Sequence, residues 1–361
     1  MPAINRLGLQ SLLFQDKPVM SEEELTEQQD LYEHYRFTVD SGQSPLRIDK
    51  YLSARIENTS RTRIQNAALA GNIAVKGKPV KPNYRVKPGD IIQILLPVPP
   101  RDIELIPEDI PINILYEDDD VIVINKEAGI VVHPAYGNYT GTLVNALAWH
   151  FKDLPLFRTG ELRPGLVHRL DKNTSGILVV AKNEFAQNKL ARQFFNHKTG
   201  RIYNALVWGI PNPCEGTITG HIGRNLKDRK IMQVFPDGSH GKPAVTHYRV
   251  IESFSYVSLV ECRLETGRTH QIRAHFSYIK HPLFNDNEYG GDKILRGTTF
   301  ARYRQFVSKC FEILPRQALH AKTLSFDHPS TGERMTFDSE LPDDMKNVIE
   351  RWREYTVGRG E

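Results

Sequence analysis

Between Pro45 and Pro97 the spacing of apolar positions changes twice. Leu46, Ile48, Tyr51, Leu52 and Ile56 share one helical face, with Ser44 placed as a cap and Pro45 at the first helical position. SRTRIQNAALAGN predicts a second helix that starts at Ser60 and stops at Gly71. IAVKGKPV reads as a strand, a turn over Lys76-Gly77-Lys78 and a return, and YRVKPGDIIQILLP as a further strand pair around Pro88-Gly89. From Ile112 the texture alters. INILYEDDDVIVINKEAG gives two strands about an acidic turn, TGTLVNALAWHF a helix, and GLVHRLDKNTSGILVVAKN a loop, a tight turn and the strand ILVVAK. EFAQNKLARQFFNHK has the spacing of an amphipathic helix. RIYNALVWG, HYRVIESF, YVSLVECRLE and ERMTFDSELP read as strands, and TGRTHQIRAHFSYIK passes from a turn into a helix.

Strands outnumber helices and are mostly joined by short turns. This predicts the α+β class: a domain built on a mixed, largely antiparallel sheet, preceded by a small α/β unit. The expected division is an acidic extension over 1–44, in which SEEELTEQQDLYEHY could form an exposed helix, the small unit over 45–97, a Pro-rich linker over 98–111, the main domain over 112–346, and a tail over 347–361.

The net charge of +4 is uninformative until it is divided. Residues 1–44 carry three basic and eight acidic side chains, whereas residues 45–90 carry ten basic and three acidic. The second block has the footprint of a polyanion-binding surface, and Arg47, Lys50, Arg61, Arg63, Lys76 and Lys78 on its helices and turn are the candidate contacts. No run approaches the roughly 20 apolar residues of a membrane helix, and no signal peptide is read at the N-terminus. Cys214, Cys262 and Cys310 form neither a CxxC pattern nor a disulfide framework. A cytoplasmic location is the expectation. His270 and His275 lack the HExxH spacing, Asp118–Asp120 read as a solvated turn, and GxxxxGK[ST], GxGxxG and GxSxG are absent, so neither a metal nor a nucleotide cofactor is expected.

The chemistry concentrates in His168-Arg169-Leu170-Asp171-Lys172-Asn173-Thr174-Ser175-Gly176. Asp171 stands among cations, ahead of turn residues and a buried strand, which would hold a carboxylate rigid and ionised. On this pattern alone a structural ion pair is the more common outcome.

Four further segments occur in order: GRIYNALVWG, LETGRTHQIRAH, HPLFNDNEYGGD and QALHAKTLSFDHPSTGE. With HRLDKNTSG they resemble the RluA-like family of ribosomal large-subunit RNA pseudouridine synthases over residues 110–345. RIDKYLS, SRTRIQ, GNIAVKG and VKPGD resemble the alpha-L RNA-binding module that precedes the catalytic domain in such enzymes. The resemblance implies isomerisation of uridine in structured RNA, most naturally large-subunit ribosomal RNA. Transfer RNA as substrate, or a non-catalytic RNA-binding assembly factor, are the alternatives. It implies Asp171, Tyr203 and Arg273 as the site, with Arg273 paired to Asp171 and the Tyr203 ring against the uracil. Arg169 would enter the space left by the flipped nucleotide. His168 is expected only to shape the loop. No redox cofactor, nucleotide or metal is demanded, because the reaction oxidises nothing and transfers no external group. Two departures stand out: Arg201 and Asn285 occupy positions where lysine and glycine are frequent.

Overall fold

The computed structural model describes residues 32–56, 59–96, 105–134, 138–158, 163–225, 228, 231–298 and 300–357. The small unit comprises β1 (Tyr32–Thr38), α1 (Ile48–Ser53), α2 (Arg61–Leu69), β2 (Ile73–Val75), β3 (Lys78–Pro79) and β4 (Ile91–Leu96). Its sheet runs β1-β4-β2-β3, and all its pairs are antiparallel. Ile48, Tyr51 and Leu52 from α1 and Ile64 and Ala68 from α2 pack on Ile73 and Ile92 of the sheet. As expected, the Ser60 hydroxyl caps α2 by accepting from the Arg63 amide, and Gly71 follows the helix at φ +73°.

Three expectations for this region are corrected. Helix α1 begins at Ile48, so Ser44 and Pro45 neither cap nor open it. The cause is a competing extended pairing: the Val86 amide donates to the Leu46 carbonyl and the Ile48 amide to the Tyr84 carbonyl. The strand pair around Pro88-Gly89 does not form as a local hairpin, because β4 pairs instead with β1. Strand β1 in turn lies inside the region read as an acidic extension, and its Tyr32 to Tyr35 are strand and not helix. The remainder of the expected helix, 21–31, lies outside the described residues.

The large unit comprises β5 (Ile114–Glu117), β6 (Val121–Lys126), α3 (Leu143–His150), β7 (Ser175–Ala181), α4 (Glu184–Phe195), β8 (Gly200–Trp208), β9 (Glu215–Arg224), β10 (Met232–Phe235), β11 (Lys242–Ser253), β12 (Val257–Leu264), α5 (Gln271–Tyr278), α6 (Ala301–Ile313), β13 (Leu319–Asp327), β14 (Arg334–Asp338) and α7 (Asp343–Val357). The sheet order is β10-β9-β11-β12-β8-β13-β7-β6-β5, with β14 paired to β13. Its pairings are antiparallel except for β13 with β7. The fold is thus α+β on a mixed, largely antiparallel sheet. Strand β7 is buried along its whole length, in keeping with its unbroken apolar run. At its start β13 comes so close that a Cβ on Gly176 would lie 2.2 Å from the Ala321 carbonyl oxygen, and φ is +118°. Only glycine fits both demands.

The expected tail over 347–361 is also corrected across its described part, 347–357. Met345, Val348, Ile349 and Trp352 line one face of α7 and are buried against Trp208, Phe284, Tyr303 and Val307. The i, i+3, i+4, i+7 spacing carries this helix into the core. Trp352→Ala is expected to destabilise the fold by about 3–5 kcal/mol, measurable as a shift in the urea midpoint. A surface tail would give no shift.

Candidate active site

The chain that leads into β7 carries Asp171, and two buried cations fix its backbone. The Lys126 ammonium donates to the carbonyls of Glu127, Ile130 and Lys172 at 2.7, 2.9 and 3.1 Å. Burial lowers the Lys126 pKa to about 7, against the favourable charge of Asp171. The Arg316 guanidinium donates to the Asn173 carbonyl at 3.0 Å and forks onto Asp344 at 2.7 and 2.9 Å. The Thr174 amide closes a turn onto the Asp171 carbonyl at 3.0 Å. Asp171 is therefore presented by a loop with little freedom to move.

Arg273 lies in the first turn of α5 and is only 3% exposed. Its Nε and Nη2 donate to the two oxygens of Asp286 at 2.7 and 2.8 Å, and Nη2 also donates to Glu288 at 2.6 Å. The Tyr289 ring lies 4.8 Å from the guanidinium carbon. Nη1 remains for Asp171, at 3.4 Å. The pairing with Asp171 is thus present but long, and the bidentate partner is Asp286, a fully buried carboxylate. Asp286 is held from the other side by the amides of Glu288 and Tyr289 at 3.2 and 3.3 Å. The chain can make this turn because Asn285 takes φ +56°, a conformation that asparagine tolerates better than most residues. Its side chain donates to the carbonyls of Phe311 and Leu314.

Burial works against ionisation of Asp171. The charges of His270, Arg273 and Arg169 outweigh it and hold the carboxyl below its usual range. His270 Nε2 stands 3.8 Å from it. Tyr203, on β8, lies opposite Cys262 of β12 and Ala321 of β13 and lines the same cleft. Burial raises its hydroxyl pKa, partly offset by Arg201, so the phenol stays protonated at neutral pH. Arg169 also lines the cleft, with Nη1 3.5 Å from His133. His168 Nε2 accepts a hydrogen bond from the Val179 amide at 3.0 Å, and burial lowers its pKa to about 3. It is a neutral acceptor that fixes the loop, as expected. Arg201, the first departure, is buried and donates to the Glu265 carbonyl at 2.9 Å.

The cleft holds about 210 Å³. Among the described residues, five arginines line it, and Asp171 is its one acidic residue. Sequence reasoning placed Asp171, Tyr203, Arg273 and Arg169, and the structure brings all four to this cleft. It missed Asp286, Glu288 and Lys126. The first two sit in the segment HPLFNDNEYGGD, where their alternate spacing was the available signal.

The basic residues of the small unit divide into two groups. Arg47 and Arg61 both touch the buried Asp49, which also accepts from Gln65 at 2.7 Å. Lys76 lies 3.3 Å from Asp90. Lys50, Arg63 and Lys78 are exposed. Arg47 and Arg61 therefore have a structural duty that sequence reasoning did not foresee, while their side chains remain close to half exposed.

Removing Asp286 leaves the Arg273 charge buried without its fork. Asp286→Ala is expected to lose about 3–5 kcal/mol of stability, read by chemical denaturation, whereas Glu288→Ala, at the exposed edge of the cluster, is expected to lose much less. Equal losses would contradict this ranking.

Two matches with known families fit this geometry. Residues 120–278 match the family described as RNA pseudouridylate synthase, and residues 46–92 match the S4 domain. The chain is 50% identical over 317 residues to an uncharacterized RNA pseudouridine synthase of Chlorobaculum parvum, covering 87% of this chain and 96% of the relative. It is 45% identical to an uncharacterized RNA pseudouridine synthase of Bacillus subtilis, covering 88% and 97%. It is 43% identical to ribosomal large subunit pseudouridine synthase D of Zymomonas mobilis, covering 83% and 92%. With such identity along almost the full length of these relatives, the chain belongs to the RNA pseudouridylate synthase family.

Proposed function

We propose that the chain isomerises uridine to pseudouridine in large-subunit ribosomal RNA, with Asp171 as its catalytic carboxylate. The observation that carries this reading is Asp171 held 3.4 Å from the pre-positioned Arg273, as the one acidic residue among the described lining of a cleft that five arginines face. The relatives named ribosomal large subunit pseudouridine synthase D in Zymomonas mobilis and Neisseria meningitidis support the choice of RNA. Ribosomal RNA as substrate supports a cytoplasmic location. Lys50, Arg63 and Lys78 of the small unit, with the outer edges of Arg47, Arg61 and Lys76, would grip phosphates.

The reaction breaks the N1–C1′ bond, turns the uracil in place and joins C5 to C1′; C5 gives up its proton and N1, no longer bound to the sugar, takes one up, so the product is an isomer of the substrate. Attack at C1′, attack at C6 and removal of a sugar proton each begin from an ionised carboxylate beside the ribose. Arg273 keeps Asp171 in that state without needing to change its own protonation. Tyr203 would lie against the uracil as a protonated phenol and limit its escape while it turns. A protonated Tyr203 is not the resting base for C5. The target nucleotide must leave its stack to reach the cleft, and Arg169 at the rim would fill the gap.

Asp171→Asn is expected to reduce tritium release from 5-labelled uridine RNA to background, with thermal midpoint and RNA affinity unchanged. Retained wild-type turnover would refute the assignment. Pseudouridine mapping in cells lacking the protein is expected to show loss in large-subunit ribosomal RNA, and loss confined to transfer RNA would refute the substrate.

A further inference from the structure

We infer that the solvent face of α4 is a second RNA-binding surface, a track for the strand that enters the cleft. Phe185, Asn188, Lys189, Arg192, Phe195 and Asn196 are all exposed. Their spacings of three, one, three, three and one place them on one stripe of the helix, which ends at its C-cap Asn196. The acid of this helix, Glu184, is confined to its first turn, where the helix dipole accommodates it. Phe185 and Phe195 are 52% and 49% exposed. They stand about 15 Å apart along the axis at 1.5 Å per residue.

The two exposed phenylalanine rings stand out because they share one stripe with Lys189 and Arg192 and because that stripe runs to the cleft. The opposite face supplies the packing: Ala186 and Leu190 are fully buried, and the Phe194 ring stacks on His168 at 4.4 Å. That stacking ties the end of the helix to the loop that carries Asp171. Phe195 and His197 reach the cleft itself, so the stripe is continuous with the site. Lys189 Nζ lies 5.5 Å from the Phe185 ring.

Aromatic rings interleaved with cations and amides suit an unpaired nucleic-acid strand: bases stack on the rings, cations meet phosphates, and no base identity is required. The nucleotides next to a flipped uridine have lost a stacking neighbour, and Phe195 at the rim would replace it. This inference rests on the cleft being the pseudouridine site, and it adds a positioning role for residues beyond Asp171, Tyr203 and Arg273.

The test uses full-length protein and a large-subunit ribosomal RNA transcript tritiated at uridine C5. Phe195→Ala is expected to raise KM about tenfold, with the effect falling on KM and not on kcat, and Phe195→Trp to restore it. Lys189→Gln with Arg192→Gln is expected to flatten the dependence of log affinity on log salt by about 1.4, or about 0.7 for each phosphate no longer neutralised. All of these variants alter surface positions, and circular dichroism is expected to be unchanged. Unchanged KM and salt slope, with Asp171→Asn inactive in the same assay, would overturn the track and leave the synthase reading standing. A defect seen only on ribosomal particles would overturn it in favour of a protein partner. Activity in Asp171→Asn would instead sink the reading on which the track depends.

Discussion

The site depends on one buried fork, the two hydrogen bonds from Arg273 to Asp286. A guanidinium is expensive to bury, and that cost is met only by close, fully directed pairing. Asp286 provides it from a turn whose amides hold the carboxylate in place. Two sides of the guanidinium are thereby occupied, and the remaining nitrogen faces Asp171. Arg273 thus acts as a fixed charge with one free direction. A site that must keep a carboxylate ionised away from bulk water gains more from such a charge than from a mobile surface cation.

The same logic extends to the backbone. The carbonyls of Lys172 and Asn173, immediately after Asp171, are bound by Lys126 and Arg316 respectively. Lys126 comes from β6 and Arg316 from the segment before β13, while Arg273 comes from α5. Strands β6, β7 and β13 are neighbours in the sheet. The sheet therefore converts its own rigidity into the position of one side chain. The long β7 core and the close approach at Gly176 secure the strand on which the loop ends.

Much of this was legible in the sequence. Apolar runs and turn residues located most strands, Ser60 and Gly71 bounded a helix, and five ordered segments gathered Asp171, Tyr203, Arg273 and Arg169. What stayed hidden depended on partners distant in the chain. Strand β1 is rich in polar residues, and its role follows from the open edge of β4, nearly 60 residues later. Helix α7 has a clear apolar spacing, but a short terminal segment gave no sign of the aromatic cluster that receives it. Arg273 was legible as a site residue, yet its principal partner was not. The Asp286 pairing requires the turn at Asn285, where a left-handed backbone is reached without glycine. Asp49 shows the reverse case: two arginines read as free for phosphates share a buried carboxylate.

Arg273, set in place by Asp286, is the fixed cation beside Asp171, and with His270 and Arg169 it holds the carboxyl below its usual range. Carbon-13 NMR titration of the Asp171 carboxyl, in wild type and in Arg273→Gln, tests this directly. The expected wild-type midpoint lies below the ordinary aspartate value of about 3.9, and it is expected to move upward in the variant as the neighbouring positive charge is lost. A wild-type midpoint at or above the ordinary value, or one that does not move in Arg273→Gln, would contradict it.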